Sequence, residues 1–140
     1  MKRMMLIGRS GCGKTTLVQA VNNCRKAYTK TQALEFHANM IDTPGEYIEN
    51  RLFYKALIVT SAECDIIALV QACTDKDCVF PPRFADIFPK PVIGIISKAD
   101  SKSDDVSDTI RCLETAGAKA VYATSSYTGE GIEALRKILE

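Results

Sequence analysis

Short, almost unbroken apolar runs alternate along this chain with longer stretches in which apolar residues return at helical spacing. The runs at 4–7, 65–70, 91–97 and 120–123 read as strands, each closed by a polar or glycine-bearing turn. Two very short strands, 33–36 and 40–42, are joined by a tight turn at His37-Ala38-Asn39. Helices are expected over 14–23, about 50–62, 105–116 and 131–139. In the third of these Val106, Ile110, Leu113 and Ala116 share one face, with Asp104 or Asp105 as cap; in the last, Ile132, Leu135, Ile138 and Leu139 do so. Residues 71–91 carry four of the five prolines and read as a loop with one short helix at 83–88. Strands that are apolar on both faces and separated by helices belong in a parallel sheet covered on both sides. The expected fold is a doubly wound α/β domain with a mostly parallel six-stranded sheet, helices on both faces and a shortened hairpin of strands two and three.

With 140 residues the chain is expected to form a single domain with a real core and little beyond it. Lys and Arg number 18 against 17 for Asp and Glu, so net charge gives no support to a nucleic-acid partner. The first apolar run stops at Gly8 and Arg9, which is too short for an export signal or a membrane span, and a cytoplasmic protein is expected. The six cysteines, Cys12, Cys24, Cys64, Cys73, Cys78 and Cys112, form no CxxC and have a single histidine, His37, among them. They read as reduced, half-buried thiols. Cys73 and Cys78 flank a polar Thr-Asp-Lys-Asp loop and are the two placed to pair or hold metal, although two loop cysteines make a poor zinc site.

The chemistry is concentrated where the first strand feeds GxxxxGKT, formed by Gly8, Gly13, Lys14 and Thr15. Glycines there let successive backbone N–H groups turn inward onto phosphate oxygens, and the helix beginning at Lys14 adds its positive end. Ser10, Gly11, Cys12 and Thr16 complete this loop; Lys14 reaches the β- and γ-phosphates and Thr15 ligates Mg²⁺. Ligands of doubly wound sheets lie beyond the carboxyl ends of the strands, and three further motifs fall there. Asp42 opens Asp-Thr-Pro-Gly-Glu and is placed for Mg²⁺, while the Gly45 N–H is placed to sense a γ-phosphate. Thr31, with Thr29 in reserve, is the choice to complete the metal shell. In Ser-Lys-Ala-Asp, the Asp100 carboxylate matches the N1–H and exocyclic amine of guanine, and the stem of Lys98 lies along the base. The backbone around Ser125 and Ser126 faces the base O6.

In these residues the chain resembles the P-loop GTPases of the translation-factor-like class, in which DTPG, xKxD and SA motifs follow in this order. The resemblance spans the full length. It is most similar to the ethanolamine- and propanediol-utilisation family, EutP/PduV, in its first eight residues and at 30–33, 41–50, 65–70 and 91–100. That likeness implies a small cytoplasmic protein associated with bacterial microcompartments that break down ethanolamine or 1,2-propanediol, with shell or enzyme proteins as partners. It also brings in an acetate-kinase role proposed for ethanolamine-utilisation members.

Three departures from an ordinary GTPase bear on the chemistry. Ser97 replaces the usual asparagine, which removes an amide from the base and from the phosphate loop and costs on the order of 1 kcal/mol. Ser10 occupies the loop position nearest the γ-phosphate, where a side chain obstructs attacking water, so slow hydrolysis is expected. Glu46 follows the DTPG glycine, where it serves either as catalytic base or as a solvated switch residue, because a carboxylate also repels phosphate. Arg51, Arg9 and Lys30 are the candidate cationic groups, and each is also readable as a plain surface residue.

Two functions fit. The first is a Mg²⁺-dependent switch on GTP and GDP, in which Thr31 and Gly45 read the γ-phosphate and the ordered loops bind a partner; Tyr47, Phe53 and Tyr54 read either as a partner surface or as half core and half lid. The alternative is an ATP-dependent kinase passing the γ-phosphoryl group to acetate. The short chain argues against the kinase, since such enzymes close a lid over the reaction.

Overall fold

The strands run in the order β2-β3-β1-β4-β5-β6 in a computed structural model that describes residues 2–21, 35–37, 39–75, 77–99, 106–126 and 128–140. They are β1 (Met4–Ile7), β2 (Glu35–His37), β3 (Met40–Asp42), β4 (Ile66–Ala72), β5 (Val92–Ser97) and β6 (Val121–Ala123). The strands β3, β1, β4, β5 and β6 pair in parallel, and β2 runs antiparallel to β3 with His37 opposite Met40. The helices are α1 (Lys14–Val21), α2 (Glu46–Glu49), α3 (Tyr54–Ser61), α4 (Ser107–Thr115) and α5 (Ile132–Leu139). Because β1 is followed in sequence by strands on one side and in space by β4 on the other, the connections part at its carboxyl end and leave a crevice there.

Strand alternation sorts the core into two layers. Met4 and Leu6 face α1 and α5, packing with Leu17, Val18, Leu135 and Leu139. Met5 and Ile7 face the opposite side, where Leu57 of α3 and Leu113 of α4 close over Ile67, Leu69 and Ile96. The apolar run is unbroken because both faces are covered, and each such side chain contributes about 1.5–3 kcal/mol on burial. Helix α4 lies so close to β5 that a Cβ at Gly94 would meet Leu113 at 3.0 Å. Arg136 of α5 donates to the carbonyls of Val21 at 2.9 Å and Ala20 at 3.0 Å, closing the end of α1.

Several expectations change. The helix expected over 50–62 begins at Glu46 and is broken at Asn50, whose extended backbone and side-chain bond to the Leu52 N–H start a 3-10 turn, Arg51–Phe53, before α3. Strand β4 runs past Val70 because Gln71, although polar, is buried and donates from Nε2 to the Asp77 carbonyl at 3.0 Å. The cap candidates Asp104 and Asp105 lie outside the described residues, and α4 starts after Val106 without a side-chain cap.

The largest correction concerns the cysteines. Cys78 and Cys112 form a disulfide with a Cα–Cα distance of 5.8 Å, whereas all six are expected as thiols, and the alternative partner for Cys78 is Cys73. Cys12, Cys64 and Cys73 are buried and outside this disulfide, and Cys24 lies outside the described residues. Among the described residues no helix is long and apolar enough to cross a membrane.

Candidate nucleotide site

The GxxxxGKT loop turns at the end of β1 through two left-handed glycines, Gly11 at φ +81° and Gly13 at φ +99°. A Cβ at Gly8 would lie 2.6 Å from the Val70 carbonyl, so the loop enters pressed against β4. Lys14 is only 6% exposed and folds back under the loop, donating from Nζ to the Gly8 carbonyl at 2.7 Å and the Arg9 carbonyl at 3.2 Å. The Cys12 N–H closes the same turn on Arg9 at 3.1 Å. Burial pushes the Cys12 thiol up from its ordinary value, and the nearby Lys14 ammonium pulls against it. Thr15 opens α1 beside Lys14 and donates from its hydroxyl to Asp42 Oδ2 at 2.6 Å, joining the loop to the end of β3. Thr16 is exposed on the outer side of that turn.

The DTPG segment is seated against this loop. The Thr43 hydroxyl donates to the Leu6 carbonyl at 2.7 Å, and a Cβ at Gly45 would stand 2.1 Å from the Ser10 nitrogen. No larger residue fits at Gly45. Glu46 is exposed at the start of α2, whereas Glu49, at its end, accepts from the Ser10 N–H at 3.3 Å. Sequence reasoning passed over Glu49; its signal is the helical spacing from Glu46, readable only once the helix is known to begin there.

From the other side come the ends of β5 and β6. Ser97 is buried, and its hydroxyl donates to the Cys12 carbonyl. The bracing expected to vanish with the missing asparagine is therefore supplied by the shorter side chain. Lys98 sits at φ +58°, a left-handed conformation that sends its Nζ to the Gly11 carbonyl at 2.7 Å. The Cys73 thiol donates to the Lys98 carbonyl, and the Ala99 N–H to the Thr124 carbonyl at 3.0 Å. Ser125 is buried and accepts from the Thr128 N–H at 3.1 Å, while Ser126 is half-buried.

Gly8, Ser10, Gly11, Cys12, Gly13, Lys14, Thr15, Asp42, Gly45, Ser97 and Lys98 are thus gathered around one crevice. Glu46 and Thr16 are not drawn into this network. Thr31, Thr29, Lys30 and Asp100 lie outside the described residues. Arg9 is held by Asp75 at 2.8 Å, a partner 66 residues away that no local pattern marks, and Arg51 is exposed on the 3-10 turn.

A parallel sheet with helices on both faces and a glycine-rich turn between its central strand and a helix N-terminus is an α/β P-loop fold. The sequence profile described as "Ethanolamine utilisation - propanediol utilisation" matches residues 1–140, and the chain belongs to this PduV-EutP family. It is 44% identical over 134 residues to "Propanediol utilization protein PduV" of Citrobacter freundii, covering 95% of this chain and 89% of that protein. It is 36% identical over 138 residues to "Probable acetate kinase EutP" of Escherichia coli, covering 96% and 87%. A more distant likeness, 29% identity over 158 residues, covers 95% of the chain and 52% of "GTPase Era" of Corynebacterium glutamicum.

Proposed function

We propose that this protein is a slow, Mg²⁺-dependent GTPase-like switch serving ethanolamine or propanediol utilisation. The observation that carries the reading is the cradle under the loop: a buried Lys14 bonded to the Gly8 and Arg9 carbonyls, beside Thr15 in contact with Asp42. A buried ammonium at the mouth of a helix N-terminus is matched to a polyphosphate, and the hydroxyl–carboxylate pair supplies hard oxygen donors suited to Mg²⁺. Thr15 and Asp42 would hold the ion, with Thr31 completing the shell in the triphosphate state; the bound ion screens charge on the β- and γ-oxygens. Asp100 and Lys98 read guanine, and the backbone at Ser125 and Ser126 frames its O6. Hydrolysis is slow because Ser10 is wedged between Gly45 and Glu49 at the γ-phosphate end and Glu46 stands exposed.

The readout surface is α2 to α3. Leu52 is 86% and Val59 65% exposed, next to a stacked Tyr47–Phe53 pair at 4.9 Å, a surface suited to an apolar partner patch such as a microcompartment shell or enzyme protein. The place of action is the cytoplasm, at the microcompartment.

Calorimetric titration of GTP, GDP, ATP and ADP into the Mg²⁺-loaded protein, with phosphate release followed with and without acetate, tests the reading. Guanine preference with slow, acetate-independent turnover is expected. ATP binding with acetate-dependent ADP formation would overturn it in favour of a kinase. Of the cationic groups a kinase would need, Arg9 is engaged by Asp75 and Arg51 is exposed on the 3-10 turn, while Lys30 lies outside the described residues.

A further inference from the structure

The Cys78–Cys112 disulfide joins the loop after β4 to α4 across 34 residues of sequence. Cys78 is exposed and Cys112 half-buried, and both line an open cavity of about 580 Å³ walled by Phe80, Pro81, Pro82 and Arg111. A small thiol entering this cavity meets a disulfide sulfur directly. Arg111, the residue before Cys112, and Asp108, which also lines the cavity, pair at 3.8 Å, so the guanidinium close to the departing Cys112 thiolate is shared with a carboxylate and the cavity selects no charge on the entering thiol.

The stretch that carries Cys78 lies between two anchors. Cys73 and Phe80 are buried, and Phe80 packs on Phe84 with ring centroids 5.8 Å apart, so the disulfide is the tie that holds the chain between them to α4. Between these anchors lies Asp75, whose carboxylate pairs with Arg9 at 2.8 Å and accepts from the Asp77 N–H at 3.1 Å. Arg9 in turn lends its carbonyl to Lys14 and to the Cys12 N–H. A continuous line of contacts therefore runs from the disulfide to the floor of the GxxxxGKT loop.

We propose that Cys78–Cys112 is a thiol–disulfide exchange site for a small thiol, and that its redox state sets how firmly the loop is held through Asp75 and Arg9. A thiolate attacks Cys78 Sγ, and Cys112 leaves as a thiolate that takes a proton from water. A second thiolate attacks the mixed disulfide and releases the Cys78 thiolate, which is protonated likewise. Two thiols are oxidised to one disulfide, and the protein gains two electrons and two protons. The nucleotide arm of this proposal rests on the function proposed above; the exchange chemistry and the loop coupling do not.

The test equilibrates the full chain in glutathione buffers of graded potential, with three readouts: alkylation of residues 78 and 112 by mass spectrometry, hydrogen exchange at residues 8–13, and release of a fluorescent GDP. The two thiols are expected to appear together in one two-electron transition, with faster exchange at 8–13 and GDP release about two- to five-fold faster, the scale of one partly exposed ion pair. Asp75→Asn should give the faster values in the oxidised protein and erase their redox dependence. The double variant Cys78→Ser, Cys112→Ser should match reduced protein in every buffer. Full alkylation of both residues in oxidised glutathione, or a transition that leaves exchange at 8–13 unchanged, would overturn the proposal. Failure to bind GDP in either state would sink the nucleotide reading alone, and exchange at 8–13 would then decide the redox coupling.

Discussion

The two sides of the crevice are built differently. On the side proposed for phosphate Lys14, Thr15, Asp42 and Thr43 are buried and bonded to one another or to carbonyls of the loop and of β1, so the cradle is formed by the chain itself. On the side proposed for the base Ser125 is buried, but Lys98, Ala99 and Ser126 are half-buried, and Thr128, Gly129 and Glu130 are exposed. A preformed cradle spends little free energy on ordering when a ligand arrives, whereas a surface edge must be completed by the ligand. Affinity should therefore be set on the phosphate side and selectivity on the base side. Ser97 and Lys98 reach from the second region to the first, bonding to the Cys12 and Gly11 carbonyls, and tie the two together.

The heaviest blow to this division is Lys14→Ala. It removes a buried ammonium that charge-assisted bonds match to phosphate, and affinity for GTP and ATP should fall together by on the order of a hundredfold or more. Calorimetry checks this, and retained affinity would remove the phosphate role of the loop. Gly45→Ala comes next. Its Cβ would overlap the Ser10 backbone, so the DTPG segment must move away from the loop, at a cost of about 1–3 kcal/mol as for other overpacked sites. Thermal melting should show the loss, and phosphate release should slow further.

How far these regions were readable in the sequence follows the same line. The phosphate side is local: strand, glycines, lysine and threonine are contiguous, and Met4–Ile7 was placed to the residue. Met40–Asp42 is likewise placed to the residue, because the end of β3 is marked by Pro44 and Gly45. What escaped was long-range. Arg9–Asp75 spans 66 residues, Ser97 to Cys12 spans 85, and the disulfide joins a proline-rich loop to a helix face, none of them with a periodic signal. Glu46 stands out in the sequence because it follows the DTPG glycine, and Glu49 carries no such mark. With the helix expected from about Asn50, nothing places Glu49 one turn along, whereas the backbone enters the helix at Gly45, without any side-chain cap. Gln71 lies past the end of the predicted strand because the partner of its amide, the Asp77 carbonyl, is not visible in a hydropathy pattern.

A region remote from both sides supplies a control. Cys64 lies buried just before β4, at the end of the sheet opposite the crevice, and burial pushes its thiol from 9.0 up to about 11. The folded state thus favours the protonated thiol. That contribution is complete below the unfolded value near 9.0 and is lost as pH rises through about 11. Melting curves across this range should fall more steeply for the wild type than for Cys64→Ala. Nucleotide affinity at neutral pH should be the same in both; a change there would mean that the far end of the sheet is coupled to the cradle.

The smallest expected effect bears most directly on where the division lies. Ser97 belongs to the base side by sequence position but bonds to the phosphate loop. If its hydroxyl acts only as a brace, Ser97→Ala should weaken GDP and ADP alike, by roughly 1 kcal/mol or about five-fold, the net worth of one buried hydrogen bond. The ratio between the two nucleotides would then stay fixed. Ser97→Asn places an amide where the hydroxyl stands, able to keep the bond to the Cys12 carbonyl and to present a donor to the base. Purines share N7, so this variant should tighten both nucleotides and move their ratio little unless the amide also settles the Asp100 edge. A rise in guanine preference with Asn, and none with Ala, would place selectivity in the backbone that Ser97 steadies. A loss of guanine preference with Ala would instead break the comparison, because a residue bonded to the phosphate loop would then be reading the base.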